Sequence, residues 1–145
     1  IPITNTRGEP SLGLIKKLSA QGVSLNITAI MTVEQVRGAS EVLNPKSKTI
    51  VSLFAGRIAD TGRDPVPYMK EAAGLLKPNP NAELLWASSR EILNIFQAQA
   101  CGCHIITVTS DILKKISIIG KDLGAFSLET VRSFYQDARF SGYQI

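Results

Sequence analysis

The chain has 145 residues, which is the size of one domain and too short for two independent hydrophobic cores. Hydrophobic residues make up 44% of it and charged residues 19%, a balance that excludes a disordered or coiled-coil chain. No apolar run approaches the roughly 18 residues of a membrane span, so we expect no membrane partner.

The net charge of +4 comes from 16 basic and 12 acidic residues that are mixed along the chain. No basic stripe with interleaved aromatic rings is present, and the sequence therefore predicts no nucleic-acid partner. A few arginines that bind a phosphorylated small molecule would fit this mild positive charge equally well.

The two cysteines, Cys101 and Cys103, lie in the sequence Cys-Gly-Cys-His. A disulfide between residues two apart has poor geometry, and zinc needs four ligands where the sequence offers no second cluster. We expect free thiols, no metal ion and a reducing, cytoplasmic compartment.

Short apolar runs alternate with amphipathic ones along the chain. The periodicity predicts helices over residues 11–20, 33–43, 65–76, 91–100, 110–116 and 127–138. The apolar runs predict strands over residues 23–30, 49–54, 83–87 and 104–109. Helix caps are predicted at Thr32 and Asp64, and Gly22 and Gly102 are predicted to end helices.

Four strand–helix units in succession predict an α/β fold with parallel strands, either a doubly wound sheet or a barrel. No Gly-x-Gly-x-x-Gly follows the first strand and no Walker-type Gly-Lys-Ser/Thr occurs, which argues against a nucleotide cofactor. We expect Trp86 in the core and a structural role for His104, at the start of a strand.

Each predicted strand brings polar side chains to its carboxyl end, the edge at which active sites lie in parallel α/β folds. One such residue alone is more typical of a hydrogen-bonded interior, but four strands in phase favour a site. In chain order the residues are Asn26 and Thr28, Ser52 and Arg57, Ser88 and Arg90, and Thr107 and Thr109.

These strand ends resemble motifs of the transaldolase family, which includes small bacterial transaldolases and fructose-6-phosphate aldolases. Asn26-Ile27-Thr28 is similar to the Asn-x-Thr of the fifth barrel strand, and residues 87–90 are similar to the seventh-strand Ala-Ser-x-Arg. Residues 52–58, Ser-Leu-Phe-Ala-Gly-Arg-Ile, resemble the sixth-strand Ser-Pro-Phe-Val-Gly-Arg-Ile, with Leu53 in place of the usual Pro.

The resemblance implies the C-terminal half of a (β/α)8 TIM barrel, with four parallel strand–helix units plus a C-terminal helix. Residues 1–145 would be the C-terminal portion of a single barrel domain. It implies transfer of a dihydroxyacetone unit between sugar phosphates through a lysine Schiff base, as in the pentose phosphate pathway, without a cofactor.

The resemblance also implies roles for individual residues. Asn26 and Ser52 would bind the hydroxyls of the three-carbon unit, and Thr28 would be catalytic by holding a proton-shuttling water. Arg57, Arg90 and Ser88 would bind the sugar phosphate. Phe54 is the aromatic residue found in transaldolases, where the aldolase branch tends to have Tyr.

Residues 1–4 resemble the end of the family's fourth strand, and the nucleophilic lysine would fall immediately before Ile1. None of the nine lysines present ends an apolar strand. We therefore expect this chain alone to be inactive.

Several alternatives remain open. Arg57 could form a surface ion pair with Asp60 or Asp64, and Arg90 an ion pair at a helix start. The whole chain could be a non-catalytic sugar-phosphate-binding or assembly half barrel, or a fructose-6-phosphate aldolase. Because a half barrel leaves free strand edges, we expect a homo-oligomer or pairing with the missing barrel half.

Overall fold

The computed structural model describes residues 1–142. Within them the strands are β1 (Leu25–Ile30), β2 (Thr49–Leu53), β3 (Ala82–Trp86) and β4 (Ile105–Ile106). The α-helices are α1 (Leu12–Ala20), α2 (Val33–Val42), α3 (Ala55–Asp60), α4 (Pro65–Leu76), α5 (Leu93–Ala100), α6 (Ser110–Lys114) and α7 (Leu123–Phe140). A short 3-10 helix, Lys115–Ile118, follows α6. The chain divides into two compact units, Ile1–Leu113 and Lys114–Ile145.

The strands form one parallel sheet in the order β1-β2-β3-β4. Leu25 is opposite Thr49, and Leu85 is opposite Ile105. In a doubly wound sheet the strand order reverses at a switch point, whereas in a barrel each strand pairs with the next one along the chain. The observed order is that of a barrel.

Helices cover one face of this sheet. α1 packs against α2, α2 against α4, and α4 against α5, which makes one continuous layer. Because side chains alternate between the two faces of a strand, Ile27 and Leu84 are fully buried under the helices while Asn26 and Glu83, on the other face, are exposed. A doubly wound fold would cover both faces. The first unit is therefore built as half of a (β/α)8 barrel.

The N-terminal residues extend the sheet beyond β1. Pro2 forms a parallel bridge with Thr28, the Ile3 amide donates to the Thr28 carbonyl at 2.9 Å, and the Thr28 amide donates to the Ile1 carbonyl at 2.9 Å. Residues 1–4 thus lie beside β1 as the preceding barrel strand would.

The caps that the sequence predicts are confirmed. The Thr32 side chain accepts from the Gln35 amide, and the Gln35 side chain accepts in return from the Thr32 amide, which completes a capping box. Asp64 accepts from the Val66 amide at the start of α4.

The largest differences from the sequence prediction concern three elements. α3 is absent from the prediction, because it has only six residues and Phe54, at its start, has no side-chain group that could cap a helix. β4 is shorter than predicted and spans only Ile105–Ile106. α7 begins at Leu123 rather than at residue 127, because the Asp122 side chain caps it by accepting from the Ala125 amide.

The predicted core and structural residues are where the sequence places them. Trp86 is fully buried. The Nδ1 atom of His104 accepts from the Leu84 amide at 3.1 Å, which ties its ring to β3. Cys101 and Cys103 are free thiols, and burial raises the pKa of the Cys103 thiol to about 12.

No helix within residues 1–142 has the length and hydropathy to cross a bilayer. The same residues contain no group of three or more His, Cys, Asp or Glu side chains placed to hold a metal ion.

Candidate active site

Asn26 and Ser52 meet on the sheet face that the helices leave open. The Ser52 hydroxyl donates to the Asn26 Oδ1 at 2.7 Å, and Ser52 is only 3% exposed. This bond fixes the rotation of the Asn26 amide and directs its Nδ2 donor group away from Ser52. The structure therefore brings together the two residues predicted to bind sugar hydroxyls.

Thr28 lies two residues beyond Asn26 on β1, with its side chain half-buried. Its backbone is held by the Ile1 and Ile3 hydrogen bonds. The next residue, Ala29, has a left-handed φ of 61°, and the β1–β2 register shifts there. This β-bulge changes the direction of the strand end, and such bulges are often found next to active sites.

Phe54 and Arg57 lie at the carboxyl end of β2. Phe54 precedes α3, and the Arg57 guanidinium lies over its ring, 5.6 Å from the centroid. This is the distance of a cation–π contact. The ring therefore gives the exposed arginine a defined position without using any of its N–H donors.

Arg90 follows β3 and is bound side-on by Asp60 of α3. Its Nε donates to Asp60 Oδ1 at 3.0 Å, and its Nη2 donates to Asp60 Oδ2 at 2.6 Å. The Arg90 hydrogen bond holds the pKa of the Asp60 carboxyl below its usual range, with a further contribution from the charge of Arg57. The same bond raises the pKa of Arg90. The alternative of an ion pair for Arg90 is thus observed, and its partner is the carboxylate that the sequence suggested for Arg57.

Asn94 fixes the backbone of the loop that carries Arg90. Its Oδ1 accepts from the Arg90 amide at 2.8 Å and from the Glu91 amide at 3.2 Å, and the residue is 8% exposed. Sequence reasoning missed Asn94. Its position four residues after Arg90, at the start of a predicted helix, is the signal that could have revealed it.

The backbone around Ser88 approaches α3 very closely. The Gly56 amide donates to the Ala87 carbonyl at 3.2 Å, and a Cβ added to Gly56 would lie 1.6 Å from the Ser88 carbonyl oxygen. Ser88 itself has a left-handed φ of 64°, a conformation that costs a non-glycine residue free energy. The close approach brings the ends of β2 and β3 together.

The structure gathers the predicted site residues into two groups. Asn26, Thr28 and Ser52 lie on β1 and β2, and Phe54, Arg57, Ser88 and Arg90 lie on the segments that follow β2 and β3. Thr109, by contrast, lies at the start of α6, where its hydroxyl accepts from the Ile112 amide at 3.5 Å. The functional roles of the seven residues remain predictions.

Comparison with known proteins identifies the family. The profile of the Transaldolase/Fructose-6-phosphate aldolase family matches residues 1–142, and the chain belongs to this family. Its four parallel strands, alternating helices and C-terminal helix are accordingly those of a half TIM barrel of that family.

Individual relatives agree with this assignment. "Probable transaldolase 2" of Listeria monocytogenes is 32% identical over 117 residues, which cover 80% of this chain and 50% of the relative. "Probable transaldolase" of Herpetosiphon aurantiacus is 28% identical over 106 residues, 72% of this chain and 46% of the relative. "6-deoxy-6-sulfo-D-fructose transaldolase" of Priestia aryabhattai is 29% identical over 108 residues, 74% of this chain and 46% of the relative. The chain spans about half the length of the curated relatives it matches.

Replacing Gly56 with Ala tests the packing that joins the two strand ends. We expect Gly56→Ala to lower the free energy of unfolding by on the order of 3 kcal/mol, because the new Cβ would overlap the Ser88 backbone. Gly74→Ala is the matched control, since Gly74 lies in α4 with nothing within 4 Å of its added Cβ. That change should be neutral or stabilise by about 0.5–1 kcal/mol. Urea unfolding measures both, and equal midpoints would contradict the close approach.

Proposed function

We propose that the protein carrying this chain is a transaldolase that transfers a dihydroxyacetone unit between sugar phosphates through a lysine Schiff base. The family match over residues 1–142, with predicted hydroxyl- and phosphate-binding residues at successive strand ends, is the observation that carries the proposal. The pentose phosphate pathway and the cytoplasm, where free thiols such as Cys101 and Cys103 persist, are the proposed setting.

The chemistry begins with the lysine amine, which condenses with the ketose C2 carbonyl and releases water. The resulting iminium accepts the electron pair of the C3–C4 bond as that bond breaks. A water held by Thr28 relays the C4 hydroxyl proton to a glutamate expected from the missing barrel half, and the aldose phosphate leaves. The enamine that remains then attacks the aldehyde carbon of an acceptor, whose oxygen takes up that proton, and water hydrolyses the iminium to release the new ketose and the free lysine.

Asn26 and Ser52 would bind the three-carbon unit during this exchange. Their mutual hydrogen bond of 2.7 Å supports this role, because it leaves the exposed Asn26 Nδ2 to donate to a substrate hydroxyl. A fixed amide loses little conformational entropy when the substrate arrives.

Arg57 and Arg90, with Ser88, would bind the phosphate group. Guanidinium groups suit phosphate because their planar N–H forks match two phosphate oxygens at once. The proposal is supported by the positions of both arginines, one over the Phe54 ring and the other on Asp60.

The nucleophilic lysine is proposed to precede Ile1. The Ile1 nitrogen donates to the Asn26 carbonyl at 2.7 Å, so a residue attached there would extend the strand that runs beside β1. Its side chain would then start close to Asn26 and Thr28. None of the nine lysines of this chain lies at such a place, and the chain alone is proposed to be inactive.

Borohydride trapping tests the proposed chemistry. Incubation with fructose 6-phosphate and sodium borohydride should leave this chain unlabelled and should label one lysine in a version extended upstream to the natural sequence. Mass spectrometry of the tryptic peptides locates the label. A labelled lysine within residues 1–142 would contradict the assignment.

The same extended protein separates the alternatives. Transfer to erythrose 4-phosphate without release of free dihydroxyacetone indicates a transaldolase, which the presence of Phe54 favours. Release of dihydroxyacetone without an acceptor indicates the aldolase. Binding of fructose 6-phosphate that depends on Arg57 and Arg90, without trapping in either version, indicates a non-catalytic binding half barrel.

The partner proposed for this chain is the missing barrel half or a second copy of the chain. The open sheet face and the unpaired side of β4 in the first unit support this proposal, as does the exposure of every apolar side chain of α7 from Leu123 to Phe134. Sedimentation velocity of the chain alone should show dimers or larger species at micromolar concentration. A stable monomer would contradict pairing with a second copy of the chain.

A further inference from the structure

We propose that Asp60 is a positioning residue for the substrate's phosphate group, which it serves by orienting the Arg90 guanidinium. The inference rests on the proposed function, because it concerns the same phosphate-binding arginines. It adds a residue that does not itself touch the substrate.

The argument starts from the donors of Arg90. A guanidinium carries five N–H groups, and Asp60 accepts from Nε at 3.0 Å and from Nη2 at 2.6 Å. That pairing uses the edge of the guanidinium formed by Nε and Nη2. The edge formed by Nη1 and the second hydrogen of Nη2 keeps two parallel N–H donors for two phosphate oxygens.

A contribution to folding stability does not explain the Arg90–Asp60 ion pair. The side chains of Arg90 and Asp60 are 50% and 51% exposed, and exposed ion pairs contribute little to folding. The two residues do lie on rigid supports, since Asp60 ends α3 while Asn94 holds the Arg90 backbone. A side chain as flexible as arginine becomes preorganised for a ligand when one face is fixed in this way.

Charge makes the role of Asp60 testable. Its carboxylate is ionised at neutral pH, since Arg90 and then Arg57 lower its pKa. An incoming phosphate is attracted by the two arginines and repelled by Asp60. Asp60 therefore has two opposite effects on binding, a favourable one through the orientation of Arg90 and an unfavourable one through its own charge.

A double-mutant cycle separates these effects. The dissociation constant of fructose 6-phosphate is measured by calorimetry for the full-length protein, for Asp60→Asn, for Arg90→Ala and for the double variant. We expect Asp60→Asn to weaken binding about tenfold when Arg90 is present. In the Arg90→Ala background it should strengthen binding by about two- to fivefold, because only the repulsion is then removed.

Two further variants are controls for the double-mutant cycle. Asp60→Glu keeps the charge and moves the carboxylate, so it should weaken binding with Arg90 present and change nothing in the Arg90→Ala background. This variant also serves if Asp60→Asn does not fold. Asp137→Asn removes one negative charge from the exposed surface of α7 and should leave binding unchanged. Fructose without phosphate is the ligand control and should not distinguish Asp60→Asn from the parent.

Any other result of the double-mutant cycle contradicts the proposed role of Asp60. Stronger binding by Asp60→Asn with Arg90 present would make Asp60 a competitor of phosphate. Equal weakening of fructose 6-phosphate binding with and without Arg90 would show that Asp60 has a structural role. Unchanged binding in both backgrounds would show that Asp60 has no role in phosphate binding. If Arg57→Ala abolishes fructose 6-phosphate binding but the cycle gives one of these results, the proposed function stands and only the role of Asp60 is wrong. If the parent protein does not bind fructose 6-phosphate, the proposed function fails together with the inference.

Discussion

The candidate site depends on the contact between the Gly56 backbone and the Ser88 backbone. Only a residue without a Cβ fits there, because an added Cβ would lie 1.6 Å from the Ser88 carbonyl oxygen. The contact joins the start of α3 to the end of β3, and Ser88 adopts a left-handed φ of 64° beside it. As a result Asp60, on α3, reaches Arg90, on the loop after β3.

The one-sided helix layer has the complementary effect on the sheet. Burial of alternate residues such as Ile27 and Leu84 stabilises the first unit, while the opposite face keeps Asn26 exposed. A polar side chain in a fully covered sheet would cost free energy unless it found partners. The face that fits a barrel interior is therefore also the face able to hold polar ligand-binding residues.

Much of this architecture could be predicted from the sequence, because strands, caps and turns are encoded locally. The capping box at Thr32 follows from residues three apart, and the apolar run of β2 shows its buried strand directly. The partner of Arg90 could not be predicted, since Asp60 is 30 residues away and the pairing depends on α3, whose start lacks a capping signal. Asn94 was missed for a related reason, because its hydrogen bonds stabilise a loop rather than a regular element.

We expect the segments that follow β2 and β3 to form a single anion-binding site. Amide chemical-shift mapping with inorganic phosphate tests it most directly on the 15N-labelled protein. The largest shifts should fall on residues 54–60 and 87–91, with little change at surface lysines such as Lys46 and Lys48. Shifts spread evenly over the basic surface, or absent from both segments, would contradict the claim.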